Sequence, residues 1–199
     1  GMGTWNMGES SATWKEEVAP LRQGVEAGLK VVDTAEMYGQ GRSESLVGEA
    51  MRDLRDDIFL VSKVLPANAS AEGVAKACRS SLRRQRQMCI RDSYLLHWRG
   101  SVPLAETIEA FRKLKEEGLI RYWGVSNFDV DDIQEMEKYT RPGECASNQI
   151  LYNLEHRGVE YDLLDTNRFR HVMTMAYSPI GQCGALLQNK EVKAVAARH

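Results

Sequence analysis

Short apolar runs that stop on polar or ionisable side chains recur along this chain, and that recurrence restricts its fold more than any other feature. Val31-Val32 ends on Asp33, Ile58 to Ser62 runs into Lys63, Tyr94-Leu95-Leu96 into His97, and Tyr122 to Val125 into Ser126-Asn127. Two further runs, Cys145 to Asn148 and Val172 to Ala176, lead to Gln149 and to Tyr177-Ser178-Pro179. Each has the length and β-branched or aromatic content of a strand. Tyr38 follows Asp33 by one short turn, so a carboxylate and a phenol stand together near one strand's end.

Between the runs lie helical patterns. Leu104, Ile108, Phe111 and Leu114 fall on one helix face that Gly118 would terminate, and Val130 with Ile133 begins a helix that Asp129 would cap. Val18, Leu21 and Val25 predict a helix before Val31, with Pro20 expected to kink it or delay its start. Further helices are expected over 44–52, 71–84, 160–168 and from 190 on. Strand and helix alternate throughout, which implies a parallel sheet. Chemistry at every strand's C-terminal end favours a (β/α)8 TIM barrel, since barrel enzymes gather active-site groups from many strands on one face. A doubly wound sheet would carry G-x-G-x-x-G after its first strand. Gly1-Met2-Gly3 and Gly39-Gln40-Gly41 lack the third glycine and read as turns with unusual backbone angles.

With 199 residues, 43% of them hydrophobic, the chain can bury one sizeable core, so a single domain over 1–199 is expected. A net charge of −2 provides no field to recruit nucleic acid or an anionic membrane. No run reaches the ~18 apolar residues of a membrane span, and no signal peptide opens the chain, so a cytoplasmic protein is expected. Cys78, Cys89, Cys145 and Cys183 are scattered, without the close pairs of a zinc site, and read as reduced structural thiols with no metal.

Gly3-Thr4-Trp5, Asp33-Thr34-Ala35-Glu36-Met37-Tyr38-Gly39, Ser62-Lys63, His97-Trp98, Gly124-Val125-Ser126-Asn127-Phe128, Asn148-Gln149 and Tyr177-Ser178-Pro179 together resemble the aldo-keto reductase family. Thr4 to Glu9 and His97 to Pro103 are most similar to bacterial members that reduce small aldehydes such as methylglyoxal. The resemblance implies NADPH as cofactor, a small carbonyl compound as substrate, and a monomer. It implies catalysis by Tyr38, Lys63, Asp33 and His97. Cofactor contacts are implied for Thr4, Trp5, Ser126, Asn127, Gln149, Tyr177, Ser178, Ile180 and Gln182, and a substrate pocket walled by Trp5 and Trp98 beside Tyr38 and His97. It covers about seven β/α units, which implies an incomplete barrel without the last strand, the last helix and the loop that grips the 2′-phosphate.

One segment departs from the family pattern. Where an apolar-acidic strand is usual, residues 85–93 read Gln-Arg-Gln-Met-Cys-Ile-Arg-Asp-Ser, which resembles translated sequencing-adapter DNA and is expected to be foreign. If genuine, its charged residues should weaken the barrel next to His97.

Reduction of a carbonyl needs a hydride donor at carbon and a proton source at oxygen, where negative charge develops. Tyr38 is the candidate acid. A cation within about 4–6 Å lowers a phenol's pKa, so Lys63 is expected to bring it below its ordinary range, with Asp33 keeping the ammonium charged and aimed. His97 would orient the carbonyl oxygen or share the proton. Each residue alone has a plainer reading: Asp33 a loop cap, Lys63 a solvated strand end, His97 a hydrogen-bonded structural histidine, the tryptophans and Tyr177 packing aromatics. Their joint occurrence in family order favours catalysis. Two rivals remain: a cofactor-binding interaction module, expected to expose a large apolar patch, and an inactive fragment whose open barrel leaves strand edges free.

Overall fold

The computed structural model describes residues 1–85 and 91–198 of the chain, without the side chains of Arg91 and Cys183. Cys89, most of the atypical 85–93 segment and His199 lie outside the described residues. The chain divides into two compact units, Gly1–Val125 and the part from Ser126 on.

The first unit alternates strand and helix: β1 (Met2–Gly3), α1 (Trp14–Glu26), β2 (Val31–Asp33), α2 (Arg42–Ala50), β3 (Phe59–Val64), α3 (Ala71–Arg84), β4 (Arg91–Leu96), α4 (Leu104–Glu116) and β5 (Ile120–Ser126). Every neighbouring pair among these strands is parallel and follows chain order, with Asp33 opposite Val61, Lys63 opposite Leu95 and Leu95 opposite Gly124. The strand ends that carry ionisable groups therefore emerge on the same side of the sheet. In the second unit, α5 (Val130–Glu137), β6 (Ser147–Leu151), α6 (Leu163–Phe169), β7 (Met173–Tyr177) and α7 (Lys190–Ala196) continue the alternation, with Gln149 of β6 opposite Met175 of β7 in another parallel pair. This is the (β/α)8 class, with seven β/α units among the described residues.

Side-chain spacing explains the helices. In α1, Leu21 and Val25 turn inward onto Val32 and Leu60 of the sheet and Leu46, Val47, Ala50 and Met51 along α2. The helix begins at Trp14, ahead of Pro20. The late start expected from the proline does not occur, because burial of Leu21 and Val25, ~2 kcal/mol each, offsets the missing backbone hydrogen bond. Helix α4 buries Leu104, Ile108, Phe111 and Leu114 as their spacing predicts, and Gly118 beyond it has φ +72°. Asp129 and Asp132 form a reciprocal capping box at the start of α5. Gly1-Met2-Gly3 is not a turn: Met2–Gly3 is β1, held beside β2.

Strand β4 bears on the expectation that charge within 85–93 weakens the barrel. Asp92, at its start, is buried, but its carboxylate accepts from the Leu60 amide at 2.7 Å and faces Arg55 at 2.9 Å and Arg121 at 3.1 Å. Two guanidiniums and an amide compensate the charge, so it ties β4 to β3 instead of weakening the sheet beside His97.

Candidate active site

Four ionisable side chains of the first unit converge where β2, β3 and β4 end. The Lys63 side chain is buried and its Nζ donates to Asp33 Oδ1 at 2.6 Å, to the Thr34 carbonyl at 3.0 Å and to Tyr38 Oη at 3.3 Å. The ammonium also lies 5.0 Å from the centre of the Tyr38 ring. The His97 ring meets Tyr38 edge to face at 5.8 Å between centroids and packs against Trp98 at 4.7 Å. Each position has a local cause. Asp33 ends β2, Lys63 is the next-to-last residue of β3, and His97 follows β4 with its amide bonded to the Val64 carbonyl. Tyr38 opens a tight 3-10 turn, Tyr38–Gly41, in which Gly39, Gln40 and Gly41 have φ of +54°, +56° and +87°, the unusual angles expected of Gly39-Gln40-Gly41.

The electrostatics differ from the expectation for Tyr38. Burial pushes its phenol above the ordinary value, Lys63 pulls it down and Asp33 raises it again, and the net direction is upward. The cation acts in the expected sense but is outweighed by lost hydration. At neutral pH Tyr38 therefore holds its proton. His97 is pushed down to about 3, first by burial and second by the nearby Lys63 charge. A neutral imidazole can orient a carbonyl by hydrogen bonding, but it does not carry the proton as imidazolium.

Beneath these groups lies a network that sequence reasoning missed. The Thr4 hydroxyl donates to the Asp33 carbonyl at 3.0 Å, Ser43 Oγ sits 2.7 Å from Thr4 Oγ1 and 3.2 Å from Thr34 Oγ1, and all three residues are fully buried. Thr4 thus directs its side chain into this network, and Trp5 beside it is half exposed. On the other side, Glu44 Oε1 accepts from Ser62 Oγ at 2.7 Å while Glu44 Oε2 binds Arg84 at 2.6 Å. A Cβ at Gly41 would lie 2.6 Å from Arg84 Cδ, so glycine there admits both the left-handed backbone and the arginine. Nothing in the spacing of 4, 34, 43, 44 and 84 signals these contacts; Thr4 and Thr34 belong to the family motifs, but neither motif points to this network.

The second unit gathers another polar group. Ser126 Oγ donates to the Gln149 carbonyl at 2.9 Å, Asn127 Nδ2 to Ser126 Oγ at 3.2 Å, and Tyr177 Oη to Asn127 Oδ1 at 2.9 Å. Asn127 has φ +57°. Its loop is held by buried Asn148, whose amide donates to the Phe128 carbonyl at 2.9 Å and whose Oδ1 accepts from the Phe128 amide at 3.4 Å. Asn148 was quoted as part of a motif without a role; it clamps the turn that presents Asn127. After β7, Ser178 and Gln182 have φ of +50° and +55°, Gln182 Nε2 donates to Ser178 Oγ at 3.0 Å, and Ile180 is exposed. The Ser126 hydroxyl and the Asn127 and Gln149 amides offer both donors and acceptors, and Tyr177 a flat aromatic face, a set that fits a nicotinamide carboxamide and ring.

Among the described residues no group of His, Cys, Asp or Glu is arranged to hold a metal ion, and no helix is long and apolar enough to cross a membrane. Cys78 and Cys145 are buried.

Comparisons with known proteins identify similar sequences and structures. Methylglyoxal reductase YeaE of Escherichia coli is 48% identical over 203 residues, spanning all of this chain and 71% of the relative. An NADH-specific methylglyoxal reductase of the same organism is 30% identical, over 92% of this chain and 63% of its own length. A crystal structure of an aldo/keto reductase from Klebsiella pneumoniae in complex with NADP and acetate superposes with a TM-score of 0.94 at 47% identity, over all of this chain and 71% of that one. The model of the Aldo/keto reductase family matches residues 1–198, and the chain belongs to that family.

Proposed function

We propose that this chain carries the centre of an NADPH-dependent reductase that converts small aldehydes and 2-oxoaldehydes such as methylglyoxal to alcohols. The observation that carries it is the buried Asp33–Lys63–Tyr38 relay, with 2.6 Å between carboxylate and ammonium and 3.3 Å between ammonium and phenol. Support for the substrate class comes from the methylglyoxal reductase that is 48% identical, and for the cofactor from the NADP complex of the Klebsiella protein.

NADPH, when bound, supplies the hydride. Tyr38 gives its proton to the carbonyl oxygen as negative charge builds there. A phenol held above its ordinary value is a reluctant acid, yet the phenolate left after transfer lies 3.3 Å from Lys63, where the cation stabilises charge that did not exist before reaction. Asp33 offsets the ammonium's lost hydration and aims it. Neutral His97 fixes the carbonyl oxygen beside Tyr38, and Trp5 and Trp98 wall the substrate. Ser126, Asn127, Gln149 and Tyr177 would hold the nicotinamide, with Ser178, Ile180 and Gln182 contributing to the rest of the cofactor site. A cytoplasmic monomer completes the proposal, which size-exclusion chromatography and cell fractionation test.

The decisive assay follows NADPH absorbance with methylglyoxal, for this chain and for a version extended through an eighth strand, each beside its Tyr38→Phe variant. Turnover lost in Tyr38→Phe supports the reading; absence of turnover from both versions overturns it.

A further inference from the structure

We propose that Glu36 is a positioning residue that sets the separation of Tyr38 from Lys63, a role that rests on the reading of these two as the reacting acid and its cation. Glu36 lies midway between the end of β2 and Tyr38. Its amide donates to the Lys63 carbonyl at 3.3 Å, while its Oε1 accepts from the Leu65 amide at 2.6 Å and from Asn68 Nδ2 at 3.0 Å. One residue thus fastens the segment two positions before Tyr38 to the segment that begins with Lys63 and continues two positions beyond it. The Tyr38 amide in turn donates to the Ala35 carbonyl at 3.1 Å, so the phenol's backbone is anchored to the fastened stretch.

The tie matters because Tyr38, unlike Lys63, lies outside the sheet. β2 ends at Asp33, five residues before Tyr38, and the intervening stretch is held to β3 by the Thr34 and Glu36 amides, which donate to the Val61 and Lys63 carbonyls, and by the Glu36 carboxylate beyond them. Carboxylate acceptance of a backbone amide is among the stronger local hydrogen bonds and holds direction as well as distance. Removing it frees the phenol to drift, and displacement of a reacting group by about 1 Å costs on the order of 10²-fold in rate. Glu36 is only partly buried, so its loss should spare the fold.

The test compares Glu36→Ala with Glu36→Gln, whose amide oxygen still accepts from both donors. Glu36→Ala should lower kcat by ~10- to 100-fold with KM for methylglyoxal and the melting temperature little changed, and Glu36→Gln should restore most of it. A second readout needs no turnover: the alkaline titration of Tyr38, taken as the phenolate absorbance difference between each protein and its Tyr38→Phe version, should be displaced in Glu36→Ala as the phenol shifts relative to Lys63, and return in Glu36→Gln. Unchanged kcat and titration in Glu36→Ala overturn the role, as does a Glu36→Gln variant as impaired as Glu36→Ala. A parent that does not reduce methylglyoxal would defeat the proposed activity, while the titration would still decide the role of Glu36.

Discussion

Replacing Lys63 by methionine separates what the ammonium does for stability from what it does for reaction. The side chain is buried, with only 1% of its surface exposed, and its partner Asp33 keeps 18%. Deleting one member of a buried ion pair usually costs ~3–5 kcal/mol, because the other charge is left without compensation. The residual exposure of Asp33 lets water recover part of that, so ~3 kcal/mol is expected for Lys63→Met. With a urea dependence of ~2 kcal/mol per M, the unfolding midpoint should fall by ~1.5 M. Adding Asp33→Asn removes the orphaned carboxylate, and the double variant should regain most of the loss, ending within ~1 kcal/mol of the parent. Turnover should not recover: single and double variants should both stay ~10²- to 10⁴-fold below the parent in kcat, since the cation beside the phenol is gone from each. Urea unfolding followed by circular dichroism, with NADPH oxidation on the same samples, measures both. A double variant no more stable than Lys63→Met would refute the pairing, and a double variant that regained turnover would refute the role of the cation.

The folded pKa of His97, about 3, lies below its unfolded value near 6.5, so the fold favours the neutral ring. Its contribution is complete above pH 6.5 and is lost as pH falls toward 3, worth ~5 kcal/mol at full protonation; His97→Asn should shift the acid unfolding midpoint to lower pH, and an unmoved midpoint counts against the assignment. A Cβ at Gly48 would lie 2.6 Å from the Gln85 Cα, so Gly48→Ala should force α2 from α3 and destabilise by ~1–3 kcal/mol in thermal melts. Asn148→Ala should weaken NADPH binding, read by tryptophan fluorescence quenching, by ~10-fold, through the freed Phe128 backbone and without affecting phenol titration. Arg55→Ala should leave Asp92 less compensated and lower stability by ~1–3 kcal/mol in urea. Residues 85–93 are proposed to be foreign to the parent gene, and re-amplification from source DNA should return a different nine-residue stretch; recovery of the same codons ends that idea.

The elements were legible where periodicity and punctuation coincided. The α4 face from Leu104 to Leu114, the Asp129 cap and the strand ends at Asp33, Lys63 and His97 all emerge where spacing places them. The start of α1 was not, because the penalty of Pro20 is local and visible while the burial of Leu21 and Val25 that offsets it is tertiary. The direction of the Tyr38 shift failed for a related reason: a neighbouring cation can be inferred from a motif, whereas desolvation depends on what surrounds the ring. The hydroxyl network of Thr4, Thr34 and Ser43, the Asp92 compensation and the Glu36 tie were invisible, since each joins residues dozens of positions apart or uses backbone groups that every residue carries alike.

Gly41 has φ +87° and would place any Cβ against Arg84, whose guanidinium is in turn held by Glu44. Positions 41, 44 and 84 consequently cannot drift one at a time. A bulkier residue at 41 evicts the arginine, an arginine lost from 84 strands a sealed carboxylate at 44, and a neutral residue at 44 leaves the guanidinium without its anchor. Descendants of this chain should keep the three together or exchange all of them in concert, giving the floor of the phenol's turn a slower evolutionary clock than the exposed helices around it.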